Sequence, residues 1–196
     1  LLEKGESVVL ATLFSSAGSA PRTAGAFMMI RSDGTSSGTI GGGQLEARIQ
    51  QMAPEIFEKK DSATVQFKLT GKDASQLEMI CGGEVEVLVE YIDAVNQSLV
   101  DIFREFLGAM KTHRKAWQVL SIPAGEGKFA GASRCLLTAK DPTVKGWVLS
   151  ASTAGYSGEI GEDVLKAVME RPEIHETQYP LVLGFPGRRI LVEPAT

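Results

Sequence analysis

Blocks of hydrophobic and polar residues follow one another along this chain in a repeating order. Val8-Val9-Leu10-Ala11-Thr12-Leu13-Phe14 is rich in β-formers and predicts a buried strand. Ser15 to Gly25 is small and polar, contains Pro21, and predicts a loop. Ala26 to Ile30 predicts a second strand, Ser32-Asp33-Gly34-Thr35 a tight turn, and Ser36 to Ile40 the return of a hairpin. After Gly41-Gly42-Gly43 the period changes. Leu45, Ile49, Met52, Ile56 and Phe57 share one helical face, with Pro54 placed to kink or restart the helix. Thr64 to Leu69 alternates as a strand, and Thr70 to Glu78 is a polar loop. Glu84 to Tyr91 is another strand, and Leu99, Phe103, Phe106 and Met110 stripe a helix near 97–112.

The second half runs through the same order. Ala116 to Pro123 predicts a strand, Gly125 to Gly131 a loop and Ser133 to Ala139 a strand. Asp141-Pro142 turns the chain and Gly146 to Ser150 returns. Val164, Leu165, Val168 and Met169 mark a helix near 158–170, and Leu181 to Gly184 and Arg189 to Glu193 close the sheet. Glu86-Val87-Leu88-Val89-Glu90 matches Arg189-Ile190-Leu191-Val192-Glu193 in pattern. The expected fold is α/β or α+β, a mixed β-sheet with flanking helices. A duplicated strand–hairpin–helix–strand–strand unit, in halves of about 1–92 and 115–196, packs as one domain over residues 1–196.

Composition narrows the function classes. With 20 basic against 24 acidic residues the net charge is −4, and no basic run interleaved with aromatics suggests nucleic acid. No apolar run reaches the roughly 18 residues of a membrane helix. No signal peptide is visible, and a chain opening at Leu1-Leu2-Glu3 predicts that the natural N-terminus lies upstream. Cys81 and Cys135 lie far apart and outside any CxxC, and there are only two histidines, His113 and His175. That pattern is neither a disulfide framework nor a metal cluster, and a reducing cytoplasm is the simplest compartment. Asn96-Gln97-Ser98 is a formal glycosylation sequon expected at a helix start and unmodified. Glycine is in excess, 21 residues where ordinary usage gives about 14, with clusters at Gly41-Gly42-Gly43, at Gly82-Gly83 and at Gly125, Gly127 and Gly131.

Those clusters frame the candidate chemistry. Gly38-Thr39-Ile40-Gly41-Gly42-Gly43 sits between a strand and a helix, where free N–H groups and the helix dipole suit an anion. Equally, it makes a tight connection with no ligand. No Lys-Ser/Thr follows, so it is not a Walker loop. Gly18-Ser19-Ala20-Pro21-Arg22 offers a stiffened loop and a guanidinium fork for phosphate or carboxylate, or an ordinary surface arginine. Cys81-Gly82-Gly83 places a thiol where backbone can approach a ligand; the thiol serves a soft metal or sulfur chemistry, or is inert and buried. Glu46, in the first turn of the helix, complements the dipole or accepts from the N–H edge of a heterocycle. Cys135, inside an apolar strand, reads as inert. Gly125-Glu126-Gly127-Lys128-Phe129-Ala130-Gly131 is a false dinucleotide fingerprint, because its third glycine is one residue late and a strand follows it.

Three of these motifs occur together in one family. Val9-Leu10-Ala11-Thr12, Gly18-Ser19-Ala20-Pro21-Arg22 and Gly25, then Asp33-Gly34 and Ser37-Gly38-Thr39-Ile40-Gly41-Gly42-Gly43-Gln44-Leu45-Glu46, then Met79-Ile80-Cys81-Gly82-Gly83-Glu84-Val85-Glu86-Val87, resemble the XdhC/CoxI family in order and spacing. The dense part covers residues 8–91, and the likeness is looser up to Leu191-Val192-Glu193-Pro194. The resemblance implies a maturation factor for molybdenum hydroxylases of the xanthine or carbon monoxide dehydrogenase type. Such a factor binds molybdenum cofactor (molybdopterin), guards it while a cysteine desulfurase supplies its terminal sulfur, and delivers it to the apo-hydroxylase. It further implies a cytoplasmic homodimer and a following Rossmann-like domain, which this chain lacks. On that reading Arg22, Gly41, Gly42, Gly43, Gln44, Glu46, Cys81, Gly82 and Gly83 bind cofactor and Cys81 faces its metal. Gln44 stands where many relatives carry cysteine, which leaves Cys81 as the lone candidate thiol. Two other readings stay open: a sulfurtransferase or oxidoreductase-like enzyme using Cys81, and a dimerisation scaffold for the missing domain.

Overall fold

The computed structural model describes residues 1–18, 20, 22–68, 83–125, 127–129, 131–139, 149–155, 160 and 162–195. It divides into two compact units, Leu1–Ala94 with Gly125–Gly131, and Val95–Ala124 with Ala132–Thr196. The α/β class holds, and the strands divide between two sheets in which every described pairing is antiparallel.

The first unit contains β1 (Val8–Ala17), β2 (Phe27–Ile30), β3 (Ser36–Gly38), α1 (Gly43–Lys59), β4 (Ser62–Lys68) and β5 (Glu84–Ile92). Its sheet runs β3-β2-β1-β5-β4 and ends on β7 (Gly127–Phe129), which pairs with β4. One face carries α1. Leu45, Ile49, Ala53 and Ile56, spaced at helical intervals, bury against Val9, Ala11, Leu13, Val85, Val87 and Val89, which are spaced at strand intervals. Pro54 lies inside α1 without ending it. Glu55 of that helix pairs with Lys59 and with Lys128 of β7. The Gly125–Gly131 loop expected from sequence therefore holds an edge strand, and Lys128 ties that strand to α1.

The second unit contains α2 (Gln97–Thr112), β6 (Ala116–Pro123), β8 (Ser133–Ala139), β9 (Leu149–Gly155), α3 (Glu162–Met169), α4 (Pro172–Glu176), β10 (Leu181–Phe185) and β11 (Arg188–Pro194). Its sheet runs β10-β11-β6-β8-β9. Asn96 caps α2 by accepting a hydrogen bond from the Leu99 N–H at 3.1 Å, so the sequon asparagine opens a helix. Ile102 and Ala109 of α2 pack with Ala116 and Leu136. On the other sheet face Val164, Leu165 and Val168 of α3 and Ile174 of α4 pack with Trp117, Val119, Cys135, Ile190 and Val192.

The two sheets share one plan. Reading β1, β2, β3, α1, β4 and β5 against β6, β8, β9, α3, β10 and β11 gives the same spatial order in both, and the matched segments 86–90 and 189–193 are equivalent strands.

Candidate functional site

Antiparallel pairing decides which loops share one end of the first sheet. β1 ends at Ala17, which pairs with Glu84 at the start of β5. β2 starts at Phe27 beside Thr12, and β3 ends at Gly38 beside Met28. The loop leaving β1 carries Arg22, the turn leaving β3 carries the glycines, and the segment entering β5 carries Gly83. These three motifs, distant in sequence, therefore emerge at the same end of four adjacent strands. Register accounts for this grouping. Leu13 closes the first loop, donating its N–H to Ala26 O at 2.8 Å and accepting from Gly25 N–H at 2.9 Å.

The glycine turn is built on conformations that side chains resist. Gly38 has φ +86°, and a Cβ there would lie 2.5 Å from Phe27 O, so the approach of β3 to β2 requires glycine. Gly42 and Gly43, at φ +81° and +59°, also need glycine, yet a Cβ on either would meet nothing within 4 Å. Their backbone faces open space.

The N–H groups expected to hold an anion are already occupied. Glu46 Oε1 accepts from Thr39 Oγ1 at 2.6 Å, from Ile40 N at 3.0 Å and from Gly42 N at 2.9 Å. Gly41 N–H donates to Thr39 Oγ1 at 3.2 Å. The half-buried Glu46 carboxylate thus sits where an external phosphate was expected, and it caps the turn and the helix N-terminus together. Burial pushes its pKa up, but the hydrogen bonds from Thr39, Gly42, Ile40 and Gly41 outweigh that and hold it below the ordinary glutamate value. Only Oε1 takes part in these bonds. The arrangement fixes a carboxylate beside exposed glycine backbone, which suits hydrogen-bond donors on a ligand better than a second anion.

The remaining sequence-predicted residues fall into three groups. Arg22 is exposed and makes no hydrogen bond or ion pair with another described residue, so it is not joined to the turn. Gln44 is exposed in the first turn of α1, and Gly83 is buried just ahead of β5. Cys81 and Gly82 lie outside the described residues. Cys135 is fully buried, and burial pushes its thiol up to about 12, as expected of an inert strand cysteine. Among the described residues no group of three or more His, Cys, Asp or Glu could hold a metal, and no helix is long and apolar enough to cross a membrane. Sequence reasoning missed Thr39 as the partner of Glu46. The seven-residue spacing across a strand-to-helix turn was the available signal. It also missed the buried charges Glu86, Glu90 and Arg134.

The fold is α/β, two units each built on an antiparallel sheet with helices, and in the first unit three loops leave one end of the sheet. Residues 1–68 match the model of the XdhC and CoxI family, so the resemblance read from the first two sequence motifs is met by an independent comparison over that stretch. No curated protein matches the chain. Among solved structures, the chain resembles a crystallised protein from Bacillus halodurans described as a xanthine dehydrogenase, at 20% identity and a TM-score of 0.62. The match covers 97% of this chain and 51% of that one, so this chain spans about half the length of its neighbour. At this identity the likeness establishes the fold.

Proposed function

We propose that this chain is an accessory domain in the maturation of molybdenum hydroxylases and that the loop end of its first sheet receives molybdenum cofactor. The observation that carries the reading is the grouping of the Arg22 loop, the Gly38–Gly43 turn and the strand entered through Gly83 at that end, within and beside the stretch that matches the family. The chemistry of the turn divides the cofactor's needs. Three of its N–H groups serve the protein's own acceptors, so the 40–42 backbone does not fit the terminal phosphate. The pterin edge fits: Glu46 is fixed and ionised, and Gly42 and Gly43 leave room for a flat ring to lie on the backbone. In this reading Glu46 accepts from pterin N–H groups, Arg22 meets the phosphate, and Cys81 faces the metal and its labile sulfur. An apo-hydroxylase and a cysteine desulfurase are the partners, the cytoplasm is the compartment, and a second copy completes a homodimer. The domain binds and hands over the cofactor without turnover of its own.

The test is retention of purified molybdenum cofactor by the full chain after gel filtration, for wild type, Glu46→Gln, Arg22→Ala and Cys81→Ala. Near-stoichiometric retention by wild type, weakened in each variant whose far-UV circular dichroism is unchanged, supports the assignment. A wild-type chain that retains none overturns it.

A further inference from the structure

The geometry points to Thr39 as the specificity-determining residue of the glycine turn. Its hydroxyl takes the Gly41 N–H onto itself, which keeps Glu46 Oε2 free for a hydrogen-bond donor on the ligand and closes the 40–42 backbone to an anion. The inference deepens the reading of this turn as the place of a pterin edge, and it rests on that reading.

The argument is a count of donors and acceptors. An ionised carboxylate has two oxygens with about four acceptor sites between them. Thr39 Oγ1, Ile40 N–H and Gly42 N–H all donate to Oε1, at 2.6, 3.0 and 2.9 Å, and among the described residues none donates to Oε2. Gly41 N–H, between two of these donors in sequence, goes instead to Thr39 Oγ1 at 3.2 Å. Burial pushes the Glu46 carboxyl up, and among the hydrogen bonds that outweigh it Thr39 contributes most and Gly41 least. A threonine hydroxyl has one proton. With Gly41 N–H on its oxygen and an ionised acceptor at 2.6 Å, that proton is committed to Glu46. Thr39 therefore offers no donor outward, and it keeps Gly41 N–H from recruiting the second carboxylate oxygen.

Removing the hydroxyl changes what the turn can bind. Thr39→Val keeps the branched shape and takes away the oxygen, so Gly41 N–H loses its acceptor. Either Oε2 turns inward to replace it, and the ligand loses its acceptor, or Gly41 N–H stays open and the turn gains a donor for an anion. Both changes move selectivity the same way, away from a ligand that presents N–H groups. Thr39→Ser keeps the hydroxyl and with it the original preference. Ile40 N–H and Gly42 N–H still hold Oε1 in every variant, so the effect of Thr39 is separable from loss of the cap.

The test is calorimetric titration of the full chain with free pterin and with pterin methylated on its ring amide nitrogen. Wild type is expected to prefer pterin to the methylated form, and Thr39→Val to lose about tenfold or more in pterin affinity together with that preference. Thr39→Ser should retain both, and Thr39→Ala repeats the loss without a branched side chain. Carbon NMR of the Glu46 carboxyl in the unliganded chain gives a second readout. Its pKa should rise toward the ordinary value in Thr39→Val and stay low in Thr39→Ser. A wild type that binds pterin beside a folded Thr39→Val variant that binds it equally well would overturn the role of Thr39 alone. An unchanged Glu46 pKa in that variant, or a serine variant that behaves as the valine one does, would overturn it too. A wild type that binds no pterin would sink the reading of the turn and this inference together.

Discussion

Replacing Glu46 tests the reading of the glycine turn most directly, because one oxygen holds it together. Glu46→Ala removes the acceptor of three hydrogen bonds, two of them from backbone N–H groups. A hydrogen bond to a charged acceptor contributes about 1.5–3 kcal/mol, and loss of a helix cap alone costs about 1 kcal/mol. The three bonds share one oxygen of a half-buried group, and water reaches part of the turn, so they do not add in full. We expect Glu46→Ala to cost about 2–3 kcal/mol. Glu46→Gln keeps an acceptor oxygen without the charge and should cost about 1 kcal/mol. For a chain of this size the alanine variant should melt about 4–10 °C lower. The assay is urea and thermal unfolding by far-UV circular dichroism, which follows both units. The pH dependence gives a second check. The folded pKa of Glu46 lies below its ordinary value, so its contribution is complete above that ordinary value and is lost as pH falls through the lower folded one. The gap between wild type and Glu46→Gln should therefore close on acidification. An alanine variant within about 0.5 kcal/mol of wild type, the ordinary effect of a surface substitution, would refute the capping role.

Three further expectations follow from single sites. Gly38→Ala drives a Cβ to 2.5 Å from Phe27 O at φ +86° and should cost about 1–3 kcal/mol in urea unfolding; an unchanged midpoint would mean that β3 lifts away freely. Hydrogen bonds and charge from Lys128 and Lys59 hold Glu55 at about 2, so the stabilising difference between wild type and Glu55→Gln should be complete above the ordinary glutamate pKa and fade as pH falls toward about 2. That difference should shrink in salt, because the pairs are exposed, and salt insensitivity would count against them. Cys135, buried with its thiol raised to about 12, should resist alkylation in the native protein and react on unfolding; peptide mapping that finds it modified in the folded chain would contradict its burial.

Local signals located most elements, and non-local pairing explains the rest. The bounds read for α2, β6 and β8 coincide with those observed, because a capping asparagine, an apolar stripe and unbroken β-forming runs act within their own segments. β1 continues through Ser15, Ser16 and Ala17 where a loop was expected. Those small residues pair, across a bulge after Leu13, with Glu86, Val85 and Glu84 in turn, partners about 70 residues away. β7 was hidden in its glycine loop for the same reason, since its pairing to β4 leaves no local periodicity. Pro172 stands at the first position of α4, a place proline favours because its missing N–H is not needed there. Glu86 and Glu90 alternate with valine and leucine and look outward-facing by pattern, yet both are buried. In the candidate site, residue types and spacing were legible. What filled the N–H groups was not, since an internal carboxylate and an external phosphate satisfy the same sequence pattern.

The two sheets have the same strand order, so the helix that follows the third strand can be compared in both units. In each unit a helix follows the third strand, α1 from Gly43 and α3 from Glu162. Ile40 and Ile160 are both buried, and Leu45 and Leu165 both pack into the core of their own unit, so the apolar frame is kept. The chemistry is not kept. Where α1 opens on Gly43-Gln44, α3 opens on Glu162-Asp163. Glu46 caps the first turn of α1, whereas Lys166 of α3 is exposed and pairs with Glu170 one turn further on. The glycine turn capped by Glu46 lies in the first unit, and the proposed cofactor role attaches to that turn.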